Sequence, residues 1–251
     1  MLRWLNVIAF AGTVAVNGLA NVLPLAGVKT EDISQKYQHL FSPADYAFAI
    51  WGAIYALLAG FVWYQALKKN ERITQKCGVW FIVNCIANAL WMVLWHYELL
   101  LLSVVCMAVI LITLIILNLR LEDVNNTWQE KIFVQAGFSL YLGWVCIATV
   151  ANVASFLVQI GFSGFGIAPE IWTVALAVLS ALVAVSVLDR FHNAFFGIAV
   201  IWGIAGVLAQ HFIGYQMRYP WAIGACVLAS MILLIRMWQL FCVEKTARAP
   251  E

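Results

Sequence analysis

The chain consists of long apolar runs separated by short polar connections. Eight runs reach the length of about 20 mostly apolar residues that a helix needs to cross a bilayer. Because lipid cannot hydrogen-bond an open backbone, and because these runs lack the alternation of barrel strands, we predict helices. The expected fold class is an all-α integral membrane protein, a polytopic helical bundle of about eight transmembrane helices. The runs lie at roughly 4–26, 44–67, 77–95, 99–119, 132–158, 171–188, 194–212 and 221–243.

Composition agrees with this pattern. The chain is 65% hydrophobic and only 10% charged, whereas a soluble domain has about 25% charged residues. A single soluble core cannot hide so much apolar surface, so the lipid bilayer is an expected partner. The net charge of +2 gives no reason to expect nucleic acid. The six cysteines lack the spacing of a zinc site, and we expect no metal and no required cofactor.

Lysine and arginine residues are unequally divided between the two sides of the predicted bundle. With the N-terminus inside, the inside segments hold 11 of them and the outside segments hold 3. Cytoplasmic segments are enriched in these residues, so we predict that both termini are cytoplasmic. We expect the membrane to be the cytoplasmic (inner) membrane of a bacterium. The 11 are Arg3, Lys68, Lys69, Arg72, Lys76, Arg120, Lys131, Arg190, Arg236, Lys245 and Arg248, and the 3 are Lys29, Lys36 and Arg218.

Three of the predicted spans carry aromatic and amide side chains on one face. Residues three or four apart share a helix face, because successive residues turn by about 100°. An asparagine facing lipid is costly, so these faces should point into the bundle. Each stripe alone is consistent with helix packing, but together they favour a pocket for a flat, largely apolar ligand. The candidate ligand-binding residues are Phe48, Trp51 and Tyr55 in the second span, Asn84, Asn88, Trp91 and Trp95 in the third, and Tyr141, Trp144 and Asn152 in the fifth.

The stretch SPADYAFAIWGAIY at the start of the second span combines two signals. Ser42 is predicted to cap the helix, with Pro43 at its first position and Asp45 near its positive end. Further along, small residues spaced four apart predict close helix packing. These small residues are Gly52, Ala56 and Gly60.

The stretches SPADYAFAIWGAIYALLAG, NCIANALWMVLWHYELL and YLGWVCIATVAN resemble the translocator protein family, also called tryptophan-rich sensory proteins (TspO/MBR). The order of the motifs and the lengths between them also agree with that family. The matching positions are Pro43, Trp51 and Tyr55, then Asn88 and Trp91, then Tyr141, Trp144 and Asn152.

The resemblance implies a five-helix bundle over residues 1–158, with a ligand pocket between helices 1, 2, 3 and 5. Residues 159–251 would add three transmembrane helices and a short cytoplasmic tail. Family members bind porphyrins such as protoporphyrin IX and are often dimeric. The resemblance therefore implies a membrane-embedded binding or sensory protein for a hydrophobic small molecule, with a porphyrin or other tetrapyrrole as candidate ligand and a homodimer as an open alternative.

Two other functions stay open. A transporter of an apolar metabolite would need a polar path across the membrane. An enzyme would need acid–base residues at the outer mouth, and we lean against an enzyme and assign no catalytic residue. The residues offered for the path are Asn17, Asn118, Gln135, Gln210 and His211, and those for the mouth are Asp45, His96 and Glu98.

Overall fold

The computed structural model describes residues 1–23, 25–68, 71–191 and 193–247, and regular structure within these ranges is helical. Two residues of the charge count, Lys69 and Arg248, lie outside the described residues. Short 3₁₀ segments at Leu25–Gly27, Asp45–Ala49 and Gly164–Gly166, and a π-helical stretch at Glu130–Ala136, connect or extend the α-helices. The α-helices are α1 (Leu2–Val22), α2 (Thr30–Lys36), α3 (Ile50–Lys68), α4 (Glu71–Cys77), α5 (Trp80–His96), α6 (Leu100–Leu121), α7 (Gly137–Gln159), α8 (Pro169–Phe191), α9 (Ala194–Ile213) and α10 (Pro220–Ala247).

The predicted membrane spans correspond to these helices. Within the described chain, seven helices are long and apolar enough to cross a bilayer, and the bent pair α4–α5 makes an eighth span if it counts as one. The prediction of an all-α membrane bundle is confirmed. The orientation of the termini stays a prediction.

The third span is bent, not straight as the run at 77–95 suggested. α4 and α5 meet at an angle of 55°. Between them Gly78 adopts a φ of 54°, a left-handed conformation that glycine enters without steric cost. The helix that carries the amide and aromatic stripe, α5, therefore begins only at Trp80.

The predicted helix cap at Ser42 is wrong. Helical structure begins at Asp45, and Ala44 is the residue before it. The Ser42 hydroxyl instead accepts a hydrogen bond from the backbone N–H of His39 at 3.0 Å. The Ala44 N–H donates to the Gly206 carbonyl of α9 at 2.9 Å. A tertiary contact that local sequence cannot show thus sets this end of the span.

The spans form two packed groups. In the first, α1 packs against α3 and α5, α5 against α6, α6 against α7, and α7 against α3, which closes a ring of five spans. In the second, α8, α9 and α10 pack against one another. The two groups meet mainly where α9 lies along α7, and α9 also contacts the start of the second span.

Glycines allow α9 to approach α7 closely. A Cβ at Gly143 of α7 would lie 2.5 Å from the Phe196 carbonyl oxygen, and one at Gly203 of α9 would lie 2.9 Å from Ile147. The expected packing stripe of the second span behaves differently, because Gly52 has nothing within 4 Å and Ala56 is exposed. The prediction of close packing is therefore wrong for these two residues and correct for Gly60, where a Cβ would overlap the Phe133 ring.

The contact at Gly143 gives a prediction. The Gly143→Ala variant should lower the free energy of unfolding by about 1–3 kcal/mol, because the added methyl group meets backbone that cannot rotate away. Gly12→Ala is the matched control, since a Cβ there meets nothing within 4 Å. Alanine at an exposed helix position is neutral or favourable by up to about 1 kcal/mol. Unfolding curves in detergent check both variants, and equal stability of the two would contradict the close approach.

Candidate functional site

A single carboxamide joins four spans in the middle of the first group. The side chain of Asn88 in α5 is 1% exposed. Its Oδ1 accepts from Asn17 Nδ2 of α1 at 2.9 Å and from the Tyr55 hydroxyl of α3 at 3.2 Å. Its Nδ2 donates to the Tyr141 hydroxyl of α7 at 2.7 Å. The amide thus fixes the relative positions of four helices in a region where water does not compete.

Trp51 is the centre of an aromatic cluster beside this amide. Its ring centroid lies 5.5 Å from Tyr55, 5.9 Å from Trp91, 5.6 Å from Tyr141 and 6.4 Å from Trp144. These separations are those of favourable stacked and edge-to-face aromatic pairs. The stripes on the second, third and fifth spans therefore do meet, and they meet ring to ring.

Hydrogen bonds from indole N–H groups hold the other side of the cluster. Trp91 donates to Asn152 Oδ1 at 3.1 Å, and Asn152 Nδ2 donates to the Ser103 hydroxyl of α6 at 2.8 Å. Trp95 stacks on Trp91 at 5.9 Å and donates to the Thr30 carbonyl of α2 at 3.1 Å. The orientation of both rings is thereby fixed by neighbouring elements.

Of the ten predicted residues, Asn84 lies outside the cluster. Its amide donates to the Thr113 hydroxyl at 2.8 Å and the Ile110 carbonyl at 3.3 Å, both on α6. Four residues turn a helix by about 400°, so Asn84 is rotated by about 40° from Asn88 and faces the next span. Phe48 does belong to the cluster, through an edge contact with Trp144 at 6.1 Å.

The space around the cluster is divided into an inner gap and an open groove. The inner gap between Trp51, Trp144 and Asn152 measures about 30 Å³, which is room for one or two waters but not for a ring system. The open groove lies between α1 and α3 and measures about 440 Å³. Its walls include Asn17, Phe48, Trp51, Tyr55 and Met92, and its rim includes Glu31, Asp45 and Tyr46.

Sequence reasoning missed part of this groove. It placed Asn17 on a transport path and did not single out Met92 or Glu31. The available signal was spacing, because Asn6, Thr13 and Asn17 of α1 are buried polar residues at helical intervals. Such a stripe on the first span predicts an inward face like those of the other three.

Two tryptophans of the cluster carry buried donors without a partner. The indole N–H groups of Trp51 and Trp144 are inaccessible to solvent, and neither finds an acceptor among the described residues. Leaving a buried donor unsatisfied costs about 1–3 kcal/mol. A molecule that offers an acceptor to either ring would remove this cost.

The first loop is fastened over the end of the bundle beside the groove. Lys36 Nζ lies 2.5 Å from Glu98 Oε2, and the Tyr37 hydroxyl donates to the same carboxylate. Gln159 at the end of α7 donates to the Glu98 carbonyl at 2.9 Å. The hydrogen bonds from Lys36 and then Tyr37 lower the pKa of the Glu98 carboxyl. Glu98 therefore links the first loop to the ends of α5 and α7.

The side chains considered for catalysis have separate partners. His96 Nδ1 lies 2.8 Å from the Met92 carbonyl of its own helix, while Asp45 accepts from Gln35 at 2.8 Å and Glu98 pairs with Lys36. Within the described ranges, no group of three or more His, Cys, Asp or Glu side chains could hold a metal ion. These three side chains are therefore not assembled into one acid–base group.

The amide at the centre of the cluster gives a second prediction. Asn88→Leu should lower the free energy of unfolding by about 1–3 kcal/mol, because an interhelical hydrogen bond in a membrane contributes about 0.6 kcal/mol on average and up to about 1.7. Asn84→Leu, which removes contacts to α6 alone, is the matched control and should cost about 1 kcal/mol. Unfolding by added SDS in mixed micelles measures both, and a loss at Asn84 as large as at Asn88 would count against the four-helix role.

The Glu98 contacts give a third prediction, on pH. Because the folded pKa is lowered, the contacts stabilise the loop above the ordinary carboxyl pKa and are lost as pH falls through the lowered value. Hydrogen exchange over residues 30–45, corrected for intrinsic rates, should speed up across that acidic range. In Glu98→Gln, exchange should be fast at neutral pH and lack this step. Asp123→Asn, at the opposite end of the bundle, is the control. If residues 30–45 exchange as slowly in Glu98→Gln as in the wild type, Glu98 does not hold the first loop in place.

Comparison with known proteins identifies the family of the chain. No curated protein and no solved structure gives a significant match to this chain. The model of the family described as TSPO-like protein matches residues 3–238, a range that includes α8, α9 and most of α10 as well as the five-span ring. The chain therefore belongs to the TSPO-like family of helical membrane proteins.

Proposed function

We propose that this protein binds a flat, largely apolar small molecule in the groove between α1 and α3 and acts as a membrane sensory or binding protein. The observation that carries the proposal is the position of Trp51. Its ring belongs to the aromatic cluster and also lines the open groove, and its N–H is a buried donor without an acceptor. A stacking surface and an unused donor thus lie on one side chain.

The size and lining of the groove suit such a ligand. A volume of about 440 Å³ falls in the range of about 300–1,000 Å³ that is usual for small-molecule sites. Trp51 and Tyr55 stack at 5.5 Å and supply a broad aromatic wall, while Val14 and Met92 supply apolar contacts. A planar molecule can lie along this wall, and it accepts a hydrogen bond from the buried Trp51 N–H once the Trp51 ring turns toward the groove.

The hydrogen bonds of Asn88 suggest how ligand binding in the groove is transmitted to other helices. Asn17 and Tyr55 stand on the two walls of the groove, and both donate to the Asn88 amide. A ligand that moves α1 relative to α3 must lengthen or redirect at least one of these bonds. Such a change reaches α5 and, through Tyr141, α7.

The rim of the groove favours an uncharged or cationic ligand. Glu31 and Asp45 both line it, and no lysine or arginine does so among the described residues. A dicarboxylate would meet like charges there, at a cost that grows as water is excluded. If the ligand is a tetrapyrrole, as the family resemblance suggests, we therefore expect a form with neutralised propionates to bind better than the diacid.

The polar residues offered for transport lie in separate hydrogen-bonded groups. Asn118 pairs with Ser139 at 2.9 Å, Gln135 bonds to the Glu122 carbonyl at 3.0 Å, and His211 lies 3.0 Å from the Leu40 carbonyl. These contacts favour structural roles, and transport of an apolar metabolite stays the alternative. A homodimer likewise stays a prediction.

The fourth prediction tests the groove with two porphyrins. Protein in nanodiscs is titrated with protoporphyrin IX dimethyl ester and with protoporphyrin IX, and the Soret band gives each Kd. The ester should bind more tightly. Trp51→Phe keeps an aromatic ring but removes the N–H, so it should weaken binding about two- to tenfold, given about 0.5–1.5 kcal/mol for a hydrogen bond and 1.4 kcal/mol per factor of ten.

Trp128→Phe is the matched control, because Trp128 is 64% exposed in the connection between α6 and α7. Its Kd values should equal those of the wild type. Absence of saturable binding by both porphyrins would refute a tetrapyrrole ligand. Equal weakening by the two tryptophan variants would refute the assignment of the site to Trp51.

A further inference from the structure

A second and larger cleft lies on the opposite side of α7 from the aromatic cluster. It measures about 840 Å³ and is bounded by α7, α8, the first loop and the connection after α9. Val150, Val153 and Leu157 form the α7 wall, and Leu176 contributes from α8. At about 1.5 Å per residue, the α7 residues from 149 to 158 give the cleft a depth of roughly 14 Å.

The helix packing explains why this cleft exists. α8 packs mainly on α10 and α9 rather than on α7, although α7 and α8 are consecutive. The connection between them contains Gly161, Gly164 and Gly166, all with positive φ. Trp172 at the start of α8 donates to the Gly164 carbonyl at 3.2 Å, which holds this connection across the mouth. The opening is therefore maintained by specific contacts.

The end of the cleft near the loops carries polar groups. His39 lines it, and its Nε2 lies 3.1 Å from the Ala151 carbonyl of α7. Because a carbonyl only accepts, Nε2 carries the proton, and Nδ1 is a buried acceptor without a partner. The Tyr215 hydroxyl donates to the His39 carbonyl at 3.1 Å. The ring centroids of Tyr215 and Tyr219 are 5.7 Å apart. These groups offer hydrogen bonds to one small polar head.

The lining is free of formal charge. No lysine, arginine, aspartate or glutamate contributes to the cleft among the described residues, and burial lowers the pKa of His39 to about 4. The hydroxyls of Thr149 and Thr173 on the walls bond to carbonyls of their own helices. A carboxylate or phosphate placed here would have no cation to pair with, which disfavours anionic lipids.

We propose that this cleft is a second binding site, distinct from the groove at Trp51, for an uncharged amphiphile of the bilayer with a hydroxyl head, of the long-chain alcohol class. The hydrocarbon chain lies between α7 and α8, against Val153 and Leu176. The hydroxyl lies at the end formed by His39 and the two tyrosines. The site uses the outward face of α7, so it does not depend on the groove being occupied.

The fifth prediction uses a photoreactive probe in nanodiscs. Hexadecanol that carries a diazirine and an alkyne is irradiated with the full-length protein, and labelled peptides are identified by mass spectrometry. Labels should concentrate on residues 149–158 and 169–176. Unlabelled hexadecanol should compete, and the fatty acid with the same tag should label at least tenfold less. Equal labelling by acid and alcohol, or labels spread evenly over all lipid-facing helices, would overturn the proposal.

Filling the cleft provides the matched variants. Ala154→Phe from α7 and Leu176→Trp from α8 should each reduce cleft labelling at least fivefold, because each places an aromatic ring in the space that the probe would occupy. Ala175→Phe, an exposed position on α8 outside the lining, is the control and should label like wild type. If either folded cleft variant keeps full labelling, the site is refuted. Trp51→Phe should leave cleft labelling unchanged, so the test of the cleft is independent of whether the groove at Trp51 binds a ligand.

Discussion

The bundle depends on the buried carboxamide of Asn88, because no other single group among the described residues bonds to as many spans. Its acceptor serves α1 and α3, and its donor serves α7. In lipid the hydrophobic effect does little to choose one helix arrangement over another, so close packing and such hydrogen bonds set the geometry. The amide fixes where the faces of four helices meet. The tryptophan cluster then occupies the remaining space around that point.

The second group of spans follows a different rule. α9 reaches α7 through positions where only glycine fits, at Gly143 and Gly203. α9 is also hydrogen-bonded to the start of the second span. Trp202 donates to the Ala47 carbonyl at 2.8 Å, and the Gly206 carbonyl accepts from the Ala44 N–H. Side-chain amides thus position the core of the first group, while close backbone approach together with these two hydrogen bonds attaches the second. The match to the family model, over residues 3–238, covers both groups.

Much of this architecture could be predicted from periodicity, and the exceptions have physical reasons. Hydropathy located the spans, and nine of the ten residues selected by helical spacing meet at the cluster. Spacing says which residues share a face but not which neighbour that face meets, so Asn84 was grouped with Asn88 although it bonds to Thr113 of α6. The closure of the inner pocket depends on distances between rings, and the cap at Ser42 was displaced by a contact with α9. Neither the distances between rings nor the contact with α9 can be read from the local sequence.

The inner gap of the aromatic cluster and the larger cleft lie on opposite faces of α7, and the peptide of Ala151 lies between them. Ala151 lines the inner gap of the aromatic cluster, while its carbonyl accepts from His39 of the cleft. The next residue, Asn152, holds Trp91. Close-packed interiors contain few voids and transmit strain. The hydrogen bond of His39 therefore joins the first loop to the helix turn that orients Trp91.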